Sequence, residues 1–464
     1  MYYALALFAV ALTAVVPGHR LPLRMPALLE RLLSQPAVVP LAVVTLVAAQ
    51  HACLVLLLSA TYHQHPVFGA LVRMPIRFIS SRGPHHLGTA YGDGFAALVL
   101  IESLALFALY WGLATPTRAK FGCVAFGALL ACCDAVVSRA ATSADMYAYV
   151  GFALLGARAY APPASAFAGA YSVINTWWHT PLVPAVYGPL WLLLAAGVSA
   201  CGHTLLAKIV ALRILGALTL AGTVGILAAL KLPPRVIALV ALNPALIFEF
   251  VVNVHNDLFG VLLLLGARYA TMRGSTWGGI ALAAAAGLVK LPFMLFAALA
   301  FTPLASPVRR ARAWGASLAI ALCGSWLAGG SAYLGAVRQT AERLTAGHLG
   351  LALTGAPVVL KAATVAALAL TVASGTFVEG CAWALPAFGA ILYPWYLSWT
   401  LPYAAASASS LRNVAIALPV AMLEADGALA TGTLLTAITA AACLWFGASL
   451  VRALVQRFAV RVPA

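Results

Sequence analysis

Carboxylates are scarce in this chain: 464 residues contain only 11 Asp and Glu against 27 Lys and Arg, and charged residues make up 8% of the sequence. A water-soluble domain carries about one quarter charged residues, so a soluble enzyme, a disordered tail and a fibrous repeat are excluded. The eight cysteines form no Cys-x-x-Cys pair and stand almost wholly in apolar stretches. There cysteine behaves as a small hydrophobe, and neither a disulfide framework nor a zinc site follows. A glycine-rich phosphate loop and a soluble domain bearing Asp-x-Asp are also missing, which removes the usual means of holding a nucleotide.

Apolar residues take up 64% of the sequence, and mean hydropathy is +0.99. Windows long enough to cross a bilayer recur from Tyr2–Val16 to Thr431–Val451. This predicts an all-α polytopic membrane protein with about 12–14 spans of some 20 residues each. The first apolar run has little leading positive charge and no clear cleavage site, so it reads as a span rather than a removable signal. Residues 1–118 read as an N-terminal transmembrane extension and 119–464 as the principal module. Short basic connections separate the spans: Arg20, Arg24 and Arg31; Arg118 and Lys120; Lys208 and Arg213; Arg268 and Arg273; Arg309, Arg310 and Arg312. The positive-inside rule expects such clusters on the cytoplasmic side. The net charge of +16 is therefore topology, and no nucleic-acid partner is implied.

Polar and aromatic residues concentrate in a loop at 138–185, which holds Arg139, Asp145, Tyr147, Tyr149, Arg158, Tyr160, Tyr171, Trp177, Trp178 and His179. A short helix over Asp145–Gly156, capped by Ser143, suits the membrane–water interface that Trp and Tyr favour. Two further breaks stand out. Asn243-Pro244 interrupts an apolar run and suggests a re-entrant segment, and Lys290-Leu-Pro292 separates two short apolar pieces that read as a broken hairpin. His63, His65, His85 and His86 fall in another loop without the spacing of a metal-ligand set.

Each of the 11 acids can be weighed. Glu30, Asp93, Glu342, Glu379, Glu424 and Asp426 lie in loops or at span ends, where water solvates them. Glu102, Asp134 and Glu249 stand within apolar spans or at their ends, where an ionisable group is costly and marks a functional hypothesis. Asp145 and Asp257 are the leading candidates. Asp145 is either a first-turn acid favoured by the helix dipole or a general base in an aromatic pocket with Tyr147 and Tyr149. His255-Asn256-Asp257 is either a capped loop tip or the lining of a cavity suited to sugar hydroxyls. Lys290 and Arg158 each read as a snorkelling cation or a phosphate contact.

The series Ser143-Ala-Asp145-Met-Tyr147-Ala-Tyr149, Tyr187-Gly-Pro189-Leu-Trp191, Asn243-Pro244, Val254-His255-Asn256-Asp257, Lys290-Leu-Pro292 and Pro394-Trp395-Tyr396-Leu resembles the GT-C class of integral-membrane glycosyltransferases. It is most similar to the polyprenol-phosphate-mannose-dependent alpha-1,6-mannosyltransferases of actinobacterial lipoglycan assembly. The resemblance covers about Phe121 to Tyr403. The family pattern has Arg-Asp before Tyr-x-Tyr; here Ala144 precedes the acid and the nearest arginine is Arg139.

The resemblance implies that 119–464 is a GT-C-like catalytic module and that Asp145, in the first large external loop, is the catalytic base. Tyr147, Tyr149, Arg158, His179, Tyr187, His255, Asn256, Asp257, Lys290, Trp395 and Tyr396 make up the implied substrate-binding set. The implied reaction moves a sugar, mannose by the resemblance, from a polyprenyl phosphate to a glycan or glycolipid hydroxyl with inversion, on the extracytoplasmic side of the plasma membrane. No cofactor is expected. A divalent cation, which the class admits, has no sequence support because no second acid lies near Asp145 in the chain. The main rival is a polytopic transporter or flippase, for which matching halves are expected and not found. A membrane scaffold would not need these polar groups, and a lipid-linked transferase for a different sugar competes most closely.

Overall fold

The computed structural model describes residues 31–62, 77–78, 89–163, 167–178, 183–347, 398–399 and 401–405, together with 408, 411–412, 414–416 and 418–419. The apolar windows Tyr2–Val16 and Thr431–Val451, and the residues His63, His65, His85, His86, His179, Trp395 and Tyr396, lie outside the described residues.

Helices dominate: α1 Val38–Tyr62, α2 Thr89–Gly112, α3 Arg118–Val137, α4 Asp145–Leu155, α5 Val173–Trp178, α6 Pro189–Ala200, α7 Leu205–Ala229, α8 Pro234–Ala241, α9 Pro244–Ile247, α10 Asp257–Met272, α11 Thr276–Val289, α12 Phe293–Ala297, α13 Pro307–Gly347 and α14 Leu401–Ala404. A π-helical turn at Phe248–Val252 follows α9. The strand content among the described residues is one two-residue parallel pair, β1 Arg77–Phe78 with β2 Ala140–Ala141.

Among the described residues, four helices are long and apolar enough to cross a bilayer: Val38–Leu58, Arg118–Val137, Leu205–Ala229 and Pro307–Gln339. Pro234–Ala241 and Pro244–Val252, bent by 43° at Asn243-Pro244, make a fifth if counted as one broken span. Proline 244 removes an amide donor at the bend. Asn243 compensates by accepting from the Ala245 amide and donating to the Ala415 carbonyl. The apolar pieces Ala97–Gly112, Pro189–Ala200 and Thr276–Val289 are shorter. Large apolar side chains face outward all along the bundle, with Leu193 71% and Leu327 85% exposed. In water such surface would drive aggregation; against lipid tails it is at home. The chain is an all-α polytopic membrane protein.

The first helices belong to the bundle. Helix α1 packs against both α2 and α3, and Val39, Leu46, Leu57, Leu106 and Leu109 are buried in one continuous apolar core with the later helices. A Cβ at Gly216 would collide with the Phe250 carbonyl, so α7 approaches the π turn as only glycine allows.

Several cations stand at the helix ends away from Asp145. Arg118 and Lys120 open α3, whose other end leads into the Asp145 loop, and Arg268 and Arg273 close or follow α10, which begins at Asp257. Arg235 stacks 4.5 Å from the Tyr110 ring near the end of α2. Lys208 and Arg213 depart from the expected basic loop. Both lie inside α7 and are buried. Lys208 donates to the Ser199 carbonyl at 2.8 Å. Arg213 reaches the start of the 138–185 loop, so the pair sits toward the Asp145 end of the bundle. The reason is local: backbone carbonyls freed at the end of α3 supply what an arginine fork can bind.

Candidate active site

The site begins with that arginine. Fully buried, Arg213 donates through Nε to the Val252 carbonyl at 2.9 Å and through Nη2 to Ala140 at 2.9 Å. Its Nη1 donates to the Ser138 carbonyl, with longer contacts to Ala135 and Val136. One guanidinium thereby ties the end of α3, the start of the loop and the end of the π turn together. Asn253 makes a second tie: its Oδ1 accepts from the Thr142 amide at 3.0 Å, and its Nδ2 donates to Thr142 Oγ1 at 2.9 Å and to Glu249 Oε2 at 3.1 Å. Two segments more than a hundred residues apart are held in one register by these ties.

Helix α4 starts at Asp145. Its positional cap is Ala144, which makes no side-chain bond, while Ser143 Oγ accepts from the Asp145 amide at 3.2 Å. The expected capping serine therefore acts one residue earlier than the cap itself. Gly156, at φ 58°, ends the helix. Tyr149, one turn on from Asp145, donates its hydroxyl to Asp145 Oδ2 at 3.2 Å, and Tyr187 donates to the same oxygen at 3.1 Å. His255 Nδ1 lies 3.2 Å from it. Oδ1 has no hydrogen-bond partner among the described residues, and the carboxylate side chain is 16% exposed. One oxygen is held from three sides; the other is engaged by no described residue. Rings brace the arrangement: Tyr149 meets Tyr187 and Trp191 edge-on, with centroids 5.1 and 5.0 Å apart.

Burial by itself raises the Asp145 carboxyl. The hydrogen bond and charge of His255, then the Lys290 ammonium and the Tyr187 hydroxyl, outweigh it and hold the group below its ordinary range. Burial, with the neighbouring Tyr187 and the two aspartates, pushes the Tyr149 hydroxyl well above its usual value, so Tyr149 remains a donor.

His255 stands between two acids, with Nε2 3.4 Å from Glu249 Oε2. The residue before it, Val254, has φ 63°. A β-branched residue there is strained by about 1–3 kcal/mol; the conformation turns the chain from the π turn into α10. Next along, Asp257 Oδ1 accepts from Lys290 Nζ at 3.0 Å and from Trp399 Nε1 at 2.7 Å. The Lys290 ammonium also lies 5.4 Å from the Trp399 ring and 5.8 Å from that of Tyr187. Lys290 occupies the break between α11 and α12, as the Lys-Leu-Pro spacing suggests. Beside it the Gly188 amide donates to the Val289 carbonyl, and a Cβ at Gly188 would strike Leu288. Asn256 is buried, and its amide has no hydrogen-bond partner among the described residues.

Of the residues singled out from sequence, the structure brings Asp145, Tyr149, Tyr187, His255, Asn256, Asp257 and Lys290 into one neighbourhood. Tyr147 is buried and interacts with Arg213 instead, because it sits about 200° around the helix from Asp145. Arg158 lies exposed in the 3₁₀ turn Gly156–Tyr160, with no recorded contact to Asp145. Trp399, Glu249, Asn253 and Arg213 join the neighbourhood without having been assigned to it. No group of three or more His, Cys, Asp or Glu residues able to hold a metal ion occurs among the described residues. The His255 ring separates Asp145 from Glu249, so these two acids cannot share an ion.

The family described as alpha-(1->6)-mannopyranosyltransferase, N-terminal domain, matches residues 67–306, just over half of the chain. Every polar residue of the neighbourhood except Trp399 falls within the match. No curated protein matches the chain, and no solved structure does.

Proposed function

The chain belongs to the alpha-(1->6)-mannopyranosyltransferase family, and on that premise we propose that it moves mannose from a polyprenyl phosphate to a glycan or glycolipid hydroxyl. The displacement inverts the anomeric centre, with Asp145 as general base. The asymmetry of the Asp145 carboxylate carries this reading: Oδ2 is fixed by Tyr149, Tyr187 and His255, and Oδ1 is left to meet an acceptor hydroxyl.

A carboxylate held below its ordinary pKa is always in the accepting form at neutral pH, but it is a weak base. Proton transfer is then concerted with formation of the glycosidic bond, because the attacking oxygen becomes acidic only as it bonds to carbon. The phosphate leaves with its electron pair. Lys290, oriented by Asp257, supplies positive charge for it, and the Asn256 amide is available to a sugar hydroxyl. The scheme needs no cofactor.

Because Arg118, Lys120, Arg235, Arg268 and Arg273 stand at the helix ends away from Asp145, while Lys208, Arg213 and Lys290 on the other side are bound to buried protein groups, the positive-inside rule supports an extracytoplasmic site in the plasma membrane. A lipid donor suits a site built among apolar helices.

The test is transfer by the purified full chain, given a panel of polyprenyl-phosphate sugars and membrane glycolipids. Mannose transfer with inversion, lost by about 10²–10⁴-fold in Asp145→Asn, is expected. Transfer that survives this substitution, or lipid flipping without any transfer, overturns the reading.

A further inference from the structure

The proposed chemistry makes no use of the contact between the long helix α13 and the loop that carries Asp145. Helix α13 is two helical pieces joined at Gly330, whose φ of 54° leaves the helical path, a conformation open to glycine. Beside the break the helix face is bare: an added Cβ at Gly329 would lie 2.8 Å from the Tyr160 ring. Tyr160 ends the 3₁₀ turn Gly156–Tyr160 and is buried. Its ring rests on Gly329 and meets the Tyr333 ring of α13 edge-on, with centroids 5.3 Å apart. Its hydroxyl donates to the Tyr187 backbone carbonyl at 3.2 Å. The Ala185 amide donates to the Ala159 carbonyl at 2.9 Å, and the Gly188 amide to the Val289 carbonyl at 2.8 Å, so Tyr187 stands in a segment tied to the 3₁₀ turn and to the end of α11. The Tyr187 hydroxyl donates to Asp145 Oδ2 at 3.1 Å. Contacts therefore run unbroken from α13 through Tyr160 and Tyr187 to the carboxylate.

We propose that Tyr160 is a positioning residue for transfer: seated on Gly329 and Tyr333, it fixes the Tyr187 backbone so that the Tyr187 hydroxyl stays aligned with Asp145. The inference rests on Asp145 being the base. Tyr160 itself touches no reacting atom. A hydrogen bond weakens steeply once it is misaligned, so a small displacement of the Tyr187 backbone loosens the hold on Oδ2. Any side chain at position 329 would occupy the seat of the Tyr160 ring and draw its hydroxyl off the Tyr187 carbonyl. The bend of α13 is thus coupled to the geometry of the site through two aromatic rings.

Two variants test the assignment: Tyr160→Phe removes only the hydroxyl, and Gly329→Ala displaces the ring. In transfer by the full chain from polyprenyl-phosphate mannose, Tyr160→Phe is expected to lower kcat by about threefold or more with KM for the donor unchanged, and Gly329→Ala to lower it further. Asp145 is faced by Tyr149, Tyr187, His255 and Lys290, and only the Tyr187 contact is loosened. The acid limb of the rate should therefore move to higher pH, by no more than in Tyr187→Phe. In a Tyr187→Phe background, Tyr160→Phe has no hydroxyl left to align and should cause no further shift. Gly335→Ala, in the outer piece of α13 where an added Cβ meets nothing within 4 Å, should keep the wild-type kcat. An acid limb that stays in place in Tyr160→Phe, or that shifts as far again in the Tyr187→Phe background, overturns the assignment. So does a loss in Gly335→Ala equal to that in Gly329→Ala. Should Gly329→Ala fail to fold, Tyr160→Phe with and without Tyr187→Phe decides alone. Asp145→Asn, measured alongside, separates the two claims. If it keeps transferring, the base assignment fails; if it is dead while Tyr160→Phe has the wild-type profile, only the positioning role fails.

Discussion

Asp145 and His255 are 110 residues apart in the chain and 3.2 Å apart in space. The contact joins the first turn of α4 to the residue that follows the strained Val254, and it sets the charge state of the acid. Three groups lower the Asp145 carboxyl against the opposing effect of burial, and His255 is the strongest of them.

Replacing the imidazole should therefore move the pH profile. With a lowered pKa in the folded protein, Asp145 contributes stability that is fully present above the unfolded value of about 3.9. That contribution is lost as pH falls through the lower, folded value. In His255→Gln, burial acts with less opposition, so the acid limb of the transfer rate should shift to higher pH. A profile identical to wild type would refute the coupling.

Tyr187→Phe removes one donor to the same oxygen. A hydrogen bond to a charged group contributes about 1.5–3 kcal/mol, so the transfer rate should fall by roughly 10-fold or more, with the acid limb moving the same way as for His255→Gln. Measuring the rate across pH in both variants checks whether the two effects share one cause.

Lys290 and Asp257 should behave as a unit. Lys290→Met leaves a buried carboxylate unpaired, which costs about 3–5 kcal/mol. Thermal unfolding in detergent should register that loss. Combining Lys290→Met with Asp257→Asn should restore most of the stability and none of the transfer, because the positive charge proposed to meet the phosphate is still gone.

Arg213→Met should destabilise the protein by about 3 kcal/mol or more, since several buried carbonyls lose their donor at once. Arg213→Lys should rescue little: one ammonium cannot reproduce the planar fork that meets Val252, Ser138 and Ala140. The midpoint of thermal unfolding reads out both.

How far the sequence could be read depended on contrast. Asp145, His255, Asp257 and Lys290 stand out because polar groups inside apolar sequence need a reason, and the described structure brings them together. The helix expected over Asp145–Gly156 spans Asp145–Leu155, and the breaks at Asn243-Pro244 and Lys290 both exist. The roles of Arg213 and Asn253 are not legible in the sequence because both bind backbone groups, whose positions no residue pattern reveals; as one more cation, Arg213 reads as topology. Glu249 drew attention as a costly acid, but only the π turn and the left-handed Val254 swing it beneath His255. Nothing in the sequence marks Trp399, whose indole nitrogen donates to Asp257.

The brevity of α11 has a consequence for the lipid around it. Its 14 residues extend about 21 Å, well short of the roughly 30 Å of hydrocarbon in a bilayer. It cannot cross the hydrocarbon alone, and the chain breaks at its end, where Lys290 stands. Under the proposed reading, a carrier phosphate would meet that lysine at the depth of the break rather than at the tip of a full span.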